Sequence, residues 1–236
     1  MACSSDRANV FGLPIARMSS DKLLDRIAGW IGSGGPQRVI CCVNAFSVVE
    51  SQRNAEYRAA LLASDILIAD GWPVARMAET ERIAGSDLML LVARDERLRR
   101  KRHTILGSYG AAYAAAMRQF MELGEAEESI LGPWIPEIPI SADLLTIANT
   151  VPSDILWVGL GAPRQECWAI THRHELRTKV IIPIGAAIDF LAGKRRRAPG
   201  WVQKAGLEWA WRIWEEPRRW RRQLGAAVGF ARLLLH

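Results

Sequence analysis

The sequence predicts an α/β fold: a mostly parallel sheet of about six strands with helices on both faces, followed by a helical, basic C-terminal appendage. Three observations carry this. Short apolar or β-branched runs recur along the chain, each followed by a stretch with helical spacing of its apolar residues. Half of the residues are hydrophobic and 24% are charged, which supplies a core and excludes a disordered or fibrous chain. The length, 236 residues, suits one folding unit with an extension rather than two full domains.

The strand candidates, in order, are 38–44 (RVICCVN), 65–69 (DILIA), 103–107 (HTILG), 128–132 (ESILG), 154–159 (DILWVG) and 179–185 (KVIIPIG). Their apolar residues run consecutively instead of alternating, as in strands buried on both faces. Helical patterns fall at 19–31, 47–63, 72–79, 86–99, 110–123, 141–149, 163–175 and 186–192. This alternation is that of a Rossmann-like sheet, in which ligands bind beyond the C-terminal strand ends. Attention therefore goes to Asn44, Asp70, Gly107, residues 159–165 and residues 185–189.

After Gly193 the pattern is helical only. Trp201, Ala205, Trp209 and Ile213 recur every four residues, and Leu207, Trp211 and Trp214 widen the stripe. Pro217 ends this helix or starts the next, because proline lacks the amide hydrogen that a helix interior needs. A second helix is expected over about 217–234. Residues 1–193 thus form an α/β body, and 194–236 a helical appendage.

Charge divides the same way. Residues 194–236 carry eleven Lys and Arg against three acids, whereas the body holds 20 basic and 22 acidic residues. Five of the ten tryptophans lie in this tail, and indole with guanidinium is the composition of a membrane-interface or anion-binding surface. A merely solvated basic face is the alternative. Four cysteines without paired spacing, two of them adjacent and so on opposite faces of a strand, argue against a disulfide framework or zinc site and for a reducing, cytoplasmic setting. The first 17 residues lack the apolar run of a secretory leader, so the chain is expected to begin here. Its longest apolar run, 224–235, includes Arg232 and falls short of the roughly 20 residues of a spanning helix.

Asp70 ends an apolar strand, where a carboxylate serves as a general base or caps the helix that begins near Trp72. Asn44 offers an amide to a polyhydroxylated ligand, or an Asx turn or helix cap. In 159–166 (GLGAPRQE) glycines let the backbone approach a ligand, and loop amides can meet a phosphate, but neither a dinucleotide fingerprint nor a P-loop is present. No Asp-x-Asp occurs to hold a divalent ion against a diphosphate, Cys167, His172 and His174 are poorly spaced as ligands, and Ser86 is not in a nucleophile elbow. If the substrate carries a diphosphate and no metal is supplied, arginines are the natural groups to offset its charge; Arg212, Arg219 and Arg222 align if the turn at Pro217 keeps phase.

The motifs 43–45 (VNA), 69–71 (ADG), 81–87 (ERIAGSD), 159–166, 185–193 (GAAIDFLAG), 197–199 (RAP) and 206–209 (GLEW) occur in that order, followed by Arg212 and 216–219 (EPRR). Over about residues 9–222 they resemble the WecG/TagA/CpsF family of bacterial glycosyltransferases. The resemblance implies an inverting, metal-independent hexosyltransferase or N-acetylmannosaminyltransferase that moves a sugar from a UDP donor to a polyprenyl-diphosphate-linked saccharide in cell-surface polysaccharide synthesis. It implies Asp70 as catalytic base and Cys42, Asn44, Arg82, Gln165, Asp189, Arg212, Arg219 and Arg222 as substrate-binding residues. No cofactor or metal is implied, since the UDP-sugar is a substrate. The partners are the two substrates and an anionic membrane surface at the inner face of the cytoplasmic membrane, with no nucleic acid; a homo-oligomer is compatible with this. Cys42 stands where a threonine is frequent in the family, and Phe46-Ser47 replaces an acidic or histidine pair, which points to a branch with a different sugar. Two rival readings are a nucleic-acid-binding α/β protein with a basic tail, argued from the sequence pI near 9.5, and a non-catalytic membrane scaffold. The first leaves Asn44 and Asp70 without a role.

Overall fold

The computed structural model describes residues 6–107, 144–150, 152–185, 198–200, 202, 210, 211, 214 and 220–235. The chain opens with a hairpin, β1 (Arg7–Val10) and β2 (Leu13–Ala16), paired antiparallel with Val10 opposite Leu13. The sequence reading missed it: β1 alternates exposed Arg7 and Asn9 with buried Ala8 and Val10, and Pro14 interrupts β2, so neither strand carries a consecutive apolar run, and the turn at Phe11-Gly12 uses positive φ at both positions, one of them a phenylalanine. Helix α1 (Ser20–Gly32) follows, its first turn capped by the Ser19 hydroxyl.

The predicted alternation then appears as β3 (Arg38–Val43), α2 (Ala45–Ser51), α3 (Ala55–Ala63), β4 (Ile66–Ala69), α4 (Trp72–Ala78), α5 (Gly85–Arg94), α6 (Glu96–Arg99) and β5 (His103–Leu106). It continues with α7 (Leu144–Ala148), β6 (Ile155–Val158), α8 (Arg164–His172), β7 (Val180–Pro183) and α9 (Trp220–Leu234). Two expected helices are each divided by a new cap. Asn54 accepts from the Tyr57 amide and splits 47–63; Asp95 accepts from the Arg97 amide and splits 86–99. The strand expected at 128–132, the helices at 110–123 and 186–192, and the boundary at 193/194 lie outside the described residues, as does most of the first tail helix.

The sheet has seven strands in the order β1-β2-β4-β3-β7-β6-β5, and every pairing but β1 with β2 is parallel. From β3 the chain moves to β4 on one side, then re-enters at the far edge with β5 and returns through β6 and β7. The order therefore reverses between β3 and β7, and in sheets of this kind ligands bind beyond the C-terminal strand ends at such a switch point. Both faces are covered. Ile40, Cys42, Ile68, Trp157 and Ile182 pack with α1, α5 and α6, while Cys41, Val43, Leu67, Val158 and Ile181 face α2, α3, α4 and α8. Cys41 and Cys42 thus lie on opposite faces, as adjacent strand residues must.

Helix α9 turns Ala226 and Phe230 inward. The Phe230 ring meets Phe11 of the hairpin turn at 5.9 Å, edge to face, and Gly229 lies against Val49 of α2. Trp220, Leu224, Val228 and Leu235 face outward with Arg221 and Arg232. Among the described residues no helix is long and apolar enough to cross a membrane.

Candidate active site

Strands β3 and β4 end side by side, with Val43 opposite Ala69, so the residues that follow them, Asn44 and Asp70, share one edge of the sheet. The Asp70 amide donates to the Val43 carbonyl at 2.8 Å, which continues the ladder one step beyond the strand ends. The Asn44 side-chain amide Nδ2 donates to Asp70 Oδ2 at 3.3 Å. Its Oδ1 accepts from the Ser47 amide at 3.2 Å and from the Ser47 hydroxyl at 3.4 Å. Asn44 is therefore the N-cap of α2 and a partner of Asp70 at once, and the capping bonds fix which end of its amide faces the carboxylate. The N-cap of α4 is Gly71, so Asp70 stands one residue outside that helix, half-buried. An oriented carboxylate can take a proton from a hydroxyl placed against it.

Cys42, two residues before Asn44, is buried in the core beneath this edge. Burial first, and then the nearby Asp70 carboxylate, push its thiol well above the ordinary range, so it remains a neutral S–H. Arg82 lies on the segment that returns from α4. The Ile83 amide donates to the Ala69 carbonyl at 2.8 Å and ties that segment to the end of β4. The Arg82 guanidinium meets Asp87 at 3.2 Å and lies 5.7 Å from the Trp72 ring centre, with Arg76 at 5.9 Å from the same ring.

Gln165 occupies the first turn of α8 and is buried. Its Oε1 accepts from the Gly161 amide at 3.1 Å and the Gly185 amide at 3.0 Å, and its Nε2 donates to Glu166 Oε1 at 2.8 Å. The Gly161 amide, one of those the sequence offers to a phosphate, is thus engaged by the protein. Gly107 also has a packing role, since a Cβ there would lie 2.8 Å from the Gly159 backbone where β5 and β6 end.

The structure brings Cys42, Asn44 and Asp70 into one cluster, with Arg82 beyond the end of β4 and Gln165 at the ends of β6 and β7. Asp189, Arg212 and Arg219 lie outside the described residues, as does the side chain of Arg222, whose backbone belongs to α9. Two residues have roles that the sequence did not assign to them. Ser47 holds the Asn44 amide, and its signal is the three-residue cap spacing. Glu166 holds Gln165; its signal, an acid at a position buried in the first turn of a helix, exists only once the fold is known. Among the described residues no three His, Cys, Asp or Glu side chains are placed to hold a metal ion together.

Known proteins resemble this chain over most of its length. An N-acetylglucosaminyldiphosphoundecaprenol N-acetyl-beta-D-mannosaminyltransferase of Bacillus spizizenii is 28% identical over 197 residues, covering 79% of this chain and 75% of the relative. The protein of that name in Bacillus subtilis is 26% identical over the same shares. Its namesake in Staphylococcus aureus is 31% identical over 101 residues, 39% of this chain and 40% of the relative. The model of the glycosyl transferase WecG/TagA/CpsF family matches residues 8–236, and the chain, with its paired Asn44 and Asp70 at the strand ends, belongs to that family.

Proposed function

We propose that this protein transfers a sugar, of the N-acetylmannosamine class, from a UDP donor to a polyprenyl-diphosphate-linked saccharide in bacterial surface-polysaccharide synthesis. The observation that carries the reading is the 3.3 Å contact from Asn44 Nδ2 to Asp70 Oδ2 at adjacent strand ends. Asn44 orients the carboxylate, and Asp70 removes the proton of the acceptor hydroxyl as that oxygen attacks the anomeric carbon from the face opposite UDP. A single displacement inverts the centre, so an α-linked donor gives a β-linked product; the names of the two Bacillus relatives specify a β-D-mannosaminyl transfer. Charge on the departing diphosphate is met by Arg212, Arg219 and Arg222 with no metal required. The acceptor is held in a membrane, and the outward stripe Trp220, Leu224, Val228 and Leu235, flanked by Arg221 and Arg232, suits docking on an anionic surface.

The test is Asp70→Asn, which keeps size and hydrogen bonding but cannot accept the proton. UDP release from UDP-N-acetylmannosamine with a short-chain lipid-diphosphate N-acetylglucosamine acceptor should fall by about 10²–10⁴. Donor binding, measured by calorimetry, should persist. Turnover near wild type, or a product with retained configuration, rejects the mechanism.

A further inference from the structure

Gln165 and Glu166 form a buried polar unit at the edge of the sheet that holds Asp70. Gln165 is 4% exposed and Glu166 1%. The orientation of the Gln165 amide follows from its partners. Two backbone N–H groups converge on one end and a carboxylate oxygen meets the other; the reversed amide would set donors against donors and an acceptor against an acceptor. The two amides belong to the loops that leave neighbouring strands β6 and β7, at Gly161 and Gly185, both with positive φ. The β7 loop reaches further, because Ile184 packs against Gly85 at the start of α5, beside the Arg82–Asp87 segment. One buried amide thus links both loops, and the second of them abuts the segment that follows Asp70.

We propose that Glu166 is a positioning residue: through the Gln165 amide it clamps the loops after β6 and β7, and Gln165 serves the protein rather than the substrate. Its effect on turnover rests on the reading of Asp70 and Asn44 given above; the clamp itself does not. Titratable groups that feel the Glu166 charge include Tyr57 on α3, Cys167 on α8, Cys41 on the same face of β3 and, across the sheet, Cys42. Burial raises all four, so at neutral pH these four are uncharged.

Chemistry that exchanges donor and acceptor tests the clamp. In Gln165→Glu, two carboxyl groups at hydrogen-bond distance must share one proton, so the variant should be competent while the proton is held and fail once it is lost. Gln165→Glu combined with Glu166→Gln restores complementarity, since the carboxylate introduced by the first substitution would accept from both glycine amides and from the side-chain amide introduced by the second. The expected result is an alkaline limb in kcat for Gln165→Glu, falling by about 10²-fold as the loops part, and its disappearance in the double variant. The measurement independent of turnover is amide hydrogen exchange by mass spectrometry: Gln165→Ala should speed exchange at Gly161 and Gly185 together. The proposal is overturned if exchange at neither glycine changes, if the double variant recovers nothing, or if Gln165→Ala raises only KM for the donor with exchange intact, which would make Gln165 a substrate contact. Should the wild type fail to turn over any UDP-sugar, the proposed function falls, and the exchange experiment still decides the clamp.

Discussion

His103 makes the fold acid-sensitive in a way that can be calculated. It lies in β5, 1% exposed, with both ring nitrogens engaged. Trp157 Nε1, which can only donate, meets His103 Nδ1 at 3.3 Å, so Nδ1 accepts and Nε2 carries the hydrogen that faces the Leu98 carbonyl at 3.0 Å. Protonation would place a hydrogen on Nδ1 against the indole N–H and leave a charge in the core. Burial therefore lowers the imidazole pKa from 6.5 to about 4, against a smaller opposing contribution from the Leu98 carbonyl. The folded value is the depressed one, so the unfolded chain takes up a proton first as pH falls. The contribution is complete above pH 6.5 and is lost progressively down to about pH 4. At about 1.4 kcal/mol per pH unit this amounts to about 3 kcal/mol, a large share of a typical stability of roughly 5–15 kcal/mol. Urea unfolding from pH 7.5 to pH 4, compared with His103→Gln, isolates the effect because carboxylates titrate alike in both proteins. The wild type should lose about 3 kcal/mol more than the variant. Parallel curves would refute the buried, neutral imidazole.

The opposite edge of the sheet provides a control. Asp65 binds Arg38 at 2.7 Å, Arg173 at 2.8 Å and the Val39 amide at 2.9 Å, so Asp65→Ala should cost about 3–5 kcal/mol in chemical denaturation while donor affinity per folded molecule stays unchanged. Alanine at Arg212, Arg219 or Arg222 should each lower turnover by roughly a hundredfold, and EDTA should leave the wild-type rate intact; inhibition by chelator, reversed by magnesium or manganese, would assign the diphosphate to an ion. Removing residues 201–236 should abolish sedimentation with phosphatidylglycerol-containing vesicles, and 0.5 M salt should weaken that of the intact chain; undiminished pelleting of the truncated chain would place the membrane surface elsewhere.

The α/β class, five of the described strands, the strand-end positions of Asn44 and Asp70 and the family were all determined by the sequence alone. Each rests on a local signal: consecutive apolar residues in strands, helical spacing between them, and short motifs in fixed order. What local signals cannot carry is partnership across the fold. The β1–β2 hairpin went unseen because neither strand has the consecutive apolar run of the others, with Arg7 and Asn9 in β1 and Pro14 in β2, and its place at the sheet edge depends on β2 pairing with β4. The double duty of Asn44 could not be read from its own neighbourhood, where cap and ligand contact looked like alternatives; its partner Asp70 is 26 residues away. The glycine-rich loop after β6 looked open to phosphate because the sequence does not show that Gln165 turns back on Gly161 or that Gly185, 20 residues further on, donates to the same oxygen. Burial is a property of the assembled layers. Only when α8 closes over the sheet do Gln165 and Glu166 leave water, and their polar atoms must then find partners within the protein.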